Sequence, residues 1–184
     1  MTPLAARLIA RIRAQGALTV QQYMEACLGD PEHGYYMTRD PLGRAGDFIT
    51  APEISQMFGE LIGLWAAHQW RAMGAPATVH LIELGPGRGT LMADALRAAR
   101  GVPEFLAAAQ VHFIEISPVL KAKQELALKD AGATWCRDLS QVPTGPAIVI
   151  GNEFLDALPI RQLIKTPDGW RERSIELDDA GRGF

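Results

Sequence analysis

Residues Ile82 to Leu91 read IELGPGRGTL: a carboxylate at Glu83, glycines at Gly85, Gly87 and Gly89, then a run suited to a helix. Glycine has no Cβ, so it takes φ > 0 without strain and lets a ligand approach the backbone closely. Three ligand classes use such turns. A phosphate-cradling loop needs a Lys followed by Ser or Thr after its last glycine; here Arg88 precedes Gly89 and Thr90 follows it, so that pattern is not met. Dinucleotide turns read G-x-G-x-x-G, whereas here the third glycine comes one position early and Thr90 stands where a glycine belongs. Glu83, two residues ahead of the first glycine, would also put a carboxylate on the path of an incoming pyrophosphate, and like charges repel. S-adenosylmethionine carries no phosphate; it has an ammonium and a sulfonium, and an acid at Glu83 favours both.

Glu115 lies 26 residues after Gly89, at the end of the second predicted strand, where a carboxylate can accept bonds from both ribose hydroxyls. Asp138 follows the third predicted strand and has two open readings: acceptor for an adenine amino group, or N-cap of the next turn. Asn152, Glu153 and Asp156, in the stretch GNEFLDALP, follow the fourth.

Strands and helices in alternation must position these residues. Thr78 to Leu84, Val111 to Ile116, Thr134 to Cys136 and Ala147 to Gly151 read as buried, largely apolar strands, with helices at Gly89 to Arg100 and Pro118 to Asp130 between them. This alternation predicts an α/β fold, a Rossmann-like, doubly wound, mostly parallel sheet with helices on both faces. A hairpin is expected around Pro167-Asp168-Gly169, between Ile160 to Thr166 and Trp170 to Leu177. Upstream, Leu4, Leu8, Ile9 and Ile12 fall at helical spacing, and Thr19 is placed to cap a second helix to Cys27. Asp30 to Pro52 is dense in Gly, Pro and Asp and reads as a long loop. From Pro52 to Met73 a helix is expected, with Ile54, Met57, Phe58, Leu61, Leu64 and Trp65 forming one apolar stripe for the core. Residues 1–75 thus read as N-terminal helices and a lid-like loop packed on a 76–184 core, one structural domain overall. The tail DDAGRGF reads as a turn leading into further chain, so a C-terminal truncation is expected.

The chain has 184 residues, 48% hydrophobic, with a formal charge of −3. That balance makes no electrostatic case for nucleic acid or anionic lipid, and no apolar run reaches the roughly 20 residues of a membrane span. Cys27 and Cys136 sit in no metal-spaced pair, and no metal site is expected. His33, His68, His80 and His112 are given no chemical role. Arg7, Arg11 and Arg13 superficially suggest an organellar presequence, but the helical spacing favours an amphipathic first helix of the fold. The Ala- and Arg-rich composition suggests a bacterium with a GC-rich genome, hence a cytoplasmic location.

The E-x-G-x-G-x-G turn at Glu83 to Gly89 resembles the first motif of Rossmann-like S-adenosylmethionine-dependent methyltransferases. Together with YMEACLGDPEHGYYMTRDPLGRAGDFITAPEISQMFGELIG (Tyr23 to Gly63) and GNEFLDALPIRQ (Gly151 to Gln162), it resembles the MidA family, whose mitochondrial member is a complex I assembly factor of the matrix. That resemblance implies a protein arginine methyltransferase acting on a respiratory complex I subunit, and a chain about twice this length. It also implies that Gly43 to Thr50 is a lid, with Gly46 and Asp47 near the cofactor's ammonium; an ordered loop packed by Tyr35, Tyr36 and Phe48 is compatible with this. A guanidinium acceptor, with its pKa above about 12, would need carboxylates to pin its charge, and Glu153 with Asp156 or Asn152 is the candidate receiver. Asn152 and Asp156 could equally cap a short helix. Two other functions compete: a non-catalytic assembly chaperone on a methyltransferase fold, and, opposed by Glu83 and Thr90, an NAD-dependent oxidoreductase.

Overall fold

The structure is a computed structural model that describes residues 1–43, 46–129 and 131–184. Arg44 and Ala45 of the expected lid, and Asp130 at the expected end of a helix, lie outside the described residues. Along the chain run α1 (Pro3–Gln15), β1 (Leu18–Thr19), α2 (Val20–Gly29), α3 (Tyr35–Thr38), α4 (Ala51–Ile54), α5 (Gln56–Ala72), β2 (Val79–Leu84) and α6 (Thr90–Ala99). Then follow α7 (Pro103–Ala108), β3 (Ala109–Ile114), α8 (Pro118–Ala127), β4 (Thr134–Cys136), β5 (Ala147–Ile150), β6 (Leu163–Thr166), β7 (Gly169–Glu172) and β8 (Ser174–Ile175).

Contacts divide the chain into two compact units, Met1–Arg39 with Leu155–Phe184, and Asp40–Phe154. In the first, α1 buries Leu8, Ile9 and Ile12, the face its spacing predicted. A capping box starts α2: Gln22 N–H donates to Thr19 Oγ1, and Thr19 N–H donates to the Gln22 side chain. β6 and β7 form the hairpin across Pro167-Asp168, and β8 pairs antiparallel with β1, a pairing of two-residue strands too short to be visible as a pattern. α3 is a helical turn inside what the sequence presented as one long loop.

The second unit holds a four-stranded, all-parallel sheet in the order β4-β3-β2-β5. The chain steps outward from β2 to β3 to β4 and then returns to the other side of β2. The direction of winding therefore reverses between β2 and β5, where open α/β sheets open a crevice at the strands' C-terminal ends. Val79, Leu81, Val111, Phe113, Ile148 and Ile150 face the main core, packed by Ala66, Ala67 and Trp70 of α5, Leu91, Met92 and Ala95 of α6, and Phe105 of α7. Ile82, Ile114 and Cys136 cluster on the opposite face with Leu84 and Val142.

Two expectations are corrected here. The helix expected from Pro52 to Met73 is interrupted at Ser55, whose extended backbone (φ −144°) separates α4 from α5. The apolar stripe is not core: Ile54 is 73% exposed, Met57 63% and Leu61 59%, and Leu64 and Trp65 are nearly half exposed; only Phe58 packs on the core. The buried face is instead Gly59, Gly63, Ala66, Ala67 and Trp70. A Cβ on Gly63 would stand 2.3 Å from the Ala95 carbonyl oxygen, and one on Gly59 2.6 Å from Asp94 Cβ. Small residues let α5 and α6 approach backbone to backbone, and that close packing outweighs the larger side chains on the other face.

Candidate functional site

β2 delivers Glu83 and the glycine turn to the switch point. Gly85 (φ +57°), Gly87 (φ +57°) and Gly89 (φ +82°) all occupy the left-handed region, which is the physical reason for glycine at these three positions. Gly89 caps α6, whose first turn begins at Thr90. The turn is packed on three sides: a Cβ on Gly85 would meet the Phe154 ring at 2.6 Å, on Gly87 the Leu42 side chain at 2.7 Å, and on Gly89 Leu128 at 3.1 Å.

Glu83 is 3% exposed, on the strand face shared with Leu81, and its Oε2 is buried with no hydrogen-bond partner. Desolvation pushes its pKa up to about 8, so the side chain is protonated at neutral pH. Sequence reasoning placed a ready carboxylate here; in the structure burial favours the neutral acid.

Glu115 follows β3 directly. Its Oε1 accepts from the Ile116 and Ser117 amides at 2.9 and 2.8 Å, and its Oε2 from Gln124 Nε2 at 2.9 Å. Burial raises its pKa, and these three bonds oppose that rise. A carboxylate offers about four acceptor positions, so one, on Oε2, remains for a ligand hydroxyl. Asp138 is exposed and accepts from the Ser140 amide at 2.8 Å and from the Ser140 hydroxyl, capping the 3₁₀ turn Leu139–Gln141. The capping reading is thus realised at Oδ1, and Ser140 holds the carboxyl below its ordinary pKa.

β5 pairs with β2 so that Ile150 stands beside Glu83, and the next residues, Gly151 to Phe154, pass the glycine turn. Asn152 and Glu153 lie in the chain between Gly151, which packs on Leu84, and Phe154, which packs on Gly85. Glu153 is exposed and takes φ +49°, a strained conformation for a residue with a Cβ. Such strain is retained where surroundings enforce it, often at functional sites. Asp156 belongs to the other compact unit, on the 3₁₀ turn Leu155–Ala157, where it helps burial raise the Tyr36 hydroxyl.

The expected lid segment turns back on itself. The Asp47 and Phe48 amides donate to Pro41 O at 2.7 and 3.0 Å, and the Gly43 amide to Phe48 O at 2.9 Å. Gly46 is required because a Cβ there would overlap the Pro41 carbonyl. Asp47 is exposed, and it is Leu42 that reaches the glycine turn, against Gly87.

A polar network missed by sequence reasoning ties this segment to the turn. Arg88 Nε lies 3.1 Å from Asp40 Oδ2, and its Nη1 3.5 Å from Glu53 Oε2. Lys123 Nζ reaches the same Asp40 oxygen at 2.6 Å, and Thr90 Oγ1 donates to Glu53 Oε1 at 2.5 Å. Burial would raise Asp40, but Lys123, the Leu42 amide and Arg88 outweigh it and hold the carboxyl below its ordinary value. Asp40 and Lys123 are 83 residues apart, so no local pattern signals the pairing.

The site therefore offers a buried, unpartnered carboxyl group at Glu83, a turn of three left-handed glycines, and a hydroxyl acceptor at Glu115. Among the described residues, both Arg88 and Lys123 are paired with Asp40, so neither meets a phosphate without an acid beside it. That donor set suits a cationic nucleoside.

Residues 61–184 match a family described as "Putative S-adenosyl-L-methionine-dependent methyltransferase". Over 202 residues the chain is 41% identical to the Rattus norvegicus protein arginine methyltransferase NDUFAF7, mitochondrial, and 40% identical to its Homo sapiens counterpart, in each case covering 97% of this chain and 46% of the relative. The chain spans about half the length of the curated relatives it matches. A crystal structure of a Burkholderia thailandensis protein bound to S-adenosyl-homocysteine aligns with a TM-score of 0.80 at 34% identity, over 97% of this chain and 47% of that one.

Proposed function

The chain belongs to the S-adenosyl-L-methionine-dependent methyltransferase family matched by residues 61–184, and from that premise we propose that it binds S-adenosylmethionine at the glycine turn and takes part in methylating an arginine of a protein. The observation that carries this reading is the buried, unpartnered Oε2 of Glu83 at the foot of the turn, a group whose burial is relieved by a cation and aggravated by a phosphate. Glu115 receives the ribose, the turn's backbone lies along the ligand, and Asp138 keeps Oδ2 available for the adenine amino group.

The bound cofactor supplies a methyl group on a positively charged sulfur, open to in-line displacement. The chain's own task is placement and charge. Glu153, held beside the turn by its strained backbone, accepts the acceptor's guanidinium in bidentate fashion, with Asn152 orienting it. Pinning the charge on two guanidinium nitrogens leaves the third more nucleophilic. The relatives' names support a protein arginine as acceptor, and a respiratory complex I subunit is the partner in this reading, reached in the cytoplasm if the source is a bacterium.

The test is incubation with S-adenosylmethionine and arginine-containing peptides, read by mass spectrometry. We expect a gain of one methyl mass or more on arginine, lost in Glu153→Gln while S-adenosyl-homocysteine affinity stays within about twofold. Cofactor binding without transfer by the unaltered chain would favour a non-catalytic binding module, and unchanged turnover in Glu153→Gln would remove Glu153 from the acceptor site.

A further inference from the structure

Gln124 is fully buried in α8 and makes three hydrogen bonds to three different parts of the site unit. Its Nε2 donates to the Gly87 carbonyl at 2.7 Å and to Glu115 Oε2 at 2.9 Å, and its Oε1 accepts from Trp135 Nε1 at 2.8 Å. An amide's oxygen and nitrogen are told apart by their partners, and here the assignment is forced from both ends. The indole N–H can only donate, and the carbonyl and carboxylate can only accept, so the amide has one orientation. Both Nε2 protons are used, one on each of the two groups that meet the cofactor in the reading above.

Resting on that reading, we infer that Gln124 is a positioning residue: it sets the spacing between the glycine turn and the ribose-accepting carboxylate of Glu115, in an orientation imposed by Trp135. Glu115 Oε1 is anchored by its own strand end, so Gln124 is what fixes the direction of Oε2, the oxygen with an acceptor position left for a ribose hydroxyl. The same amide holds the Gly87 carbonyl of the turn at 2.7 Å. Glutamate cannot substitute, since its carboxylate would face both the Gly87 carbonyl and Glu115 without a proton for either. Asparagine is one methylene too short to span the three partners.

The experiment is titration calorimetry of the full chain with S-adenosyl-homocysteine and with its 2′,3′-dideoxyribose analogue. The proteins are the unaltered chain, Gln124→Met, Gln124→Glu and Trp135→Phe, each with its thermal midpoint recorded without ligand. Gln124→Met keeps the volume and removes the bonds, and losing the side chain that orients a ligand-binding carboxylate is expected to weaken S-adenosyl-homocysteine by roughly tenfold or more. The dideoxy analogue, which has no ribose hydroxyls for Glu115, should lose markedly less. Gln124→Glu should be worse than Gln124→Met for S-adenosyl-homocysteine. Trp135→Phe, which leaves the ring packing against Phe113 and frees the amide to turn over, should give a smaller loss that disappears when combined with Gln124→Met. If Gln124→Met does not fold, Trp135→Phe alone carries the ribose-selective readout. Equal weakening of both ligands, or additive effects of the two substitutions, assigns Gln124 to fold maintenance and overturns the positioning role. Failure of the unaltered chain to bind S-adenosyl-homocysteine overturns the cofactor reading and this role with it.

Discussion

Cofactor binding should expel a proton, and Glu83 is its source. The buried carboxyl has a pKa of about 8 without ligand, so at pH 7 about nine molecules in ten hold it neutral. An ammonium or sulfonium drawn alongside favours the carboxylate and brings the pKa back toward or below its ordinary value of 4.5. Binding near pH 7 then releases most of one proton by linkage, and affinity falls as pH drops below about 8. Calorimetry of S-adenosyl-homocysteine at pH 7, in buffers of different ionisation enthalpy, measures the released proton directly. Glu83→Gln retains the ligand's own titration and removes that of Glu83, so its binding enthalpy should lose this part of the buffer dependence. Ligand-free stability gives the converse sign. The folded pKa is raised, so the contribution is fully present below pH 4.5 and is lost as pH rises through 8, a span worth roughly 5 kcal/mol. Over that interval Glu83→Gln should gain on the unaltered chain in chemical denaturation. No proton release, or the same release from Glu83→Gln, would refute the assignment of Glu83 to the ligand's cationic end.

Three further outcomes follow from the packing and the network. Gly63→Ala should destabilise by about 2 kcal/mol or more, because its Cβ would overlap the Ala95 backbone, whereas Leu61→Ala, 59% exposed, should stay within about 0.5 kcal/mol in urea unfolding. Asp40→Asn removes the partner shared by Arg88 and Lys123, and should speed hydrogen exchange at the Asp47 and Phe48 amides while leaving the β2 and β3 amides unchanged. His112, buried against His80 at 3.0 Å with its Nδ1 unpartnered, has a pKa lowered by burial and then by His80. Its contribution is present above pH 6.5 and is lost as pH falls through the depressed folded value, so His112→Phe should flatten the acid limb of the stability profile.

The parallel sheet was legible because buried parallel strands read as largely apolar runs: Ala147–Ile150 is wholly aliphatic, and His80 and Glu83 alone interrupt Val79–Leu84. The glycine turn was legible because only a left-handed backbone explains three alternating glycines. The outward-facing stripe on α5 was misread because periodicity reveals an amphipathic face but not which of two faces is covered; Gly59, Gly63, Ala66 and Ala67 form the real contact and contribute almost no hydrophobic signal. The break at Ser55 has no local signal; Glu53, two residues before it, pairs with Arg88 and Thr90, 35 and 37 residues downstream. Gln124 carries no local signal of its contacts, being one polar residue among several in α8. Only the fold brings Gly87, Glu115 and Trp135 to it from three separate segments.

The most direct test is a crystal structure of the chain grown with S-adenosyl-homocysteine. The ligand should lie along Gly85 to Gly89, with its amino end at Glu83, a ribose hydroxyl on Glu115 and Gln124 still bridging Gly87 to Glu115. A nucleoside bound away from the β2–β5 switch point, or density for a phosphorylated dinucleotide in that place, would contradict a turn built for a cationic nucleoside.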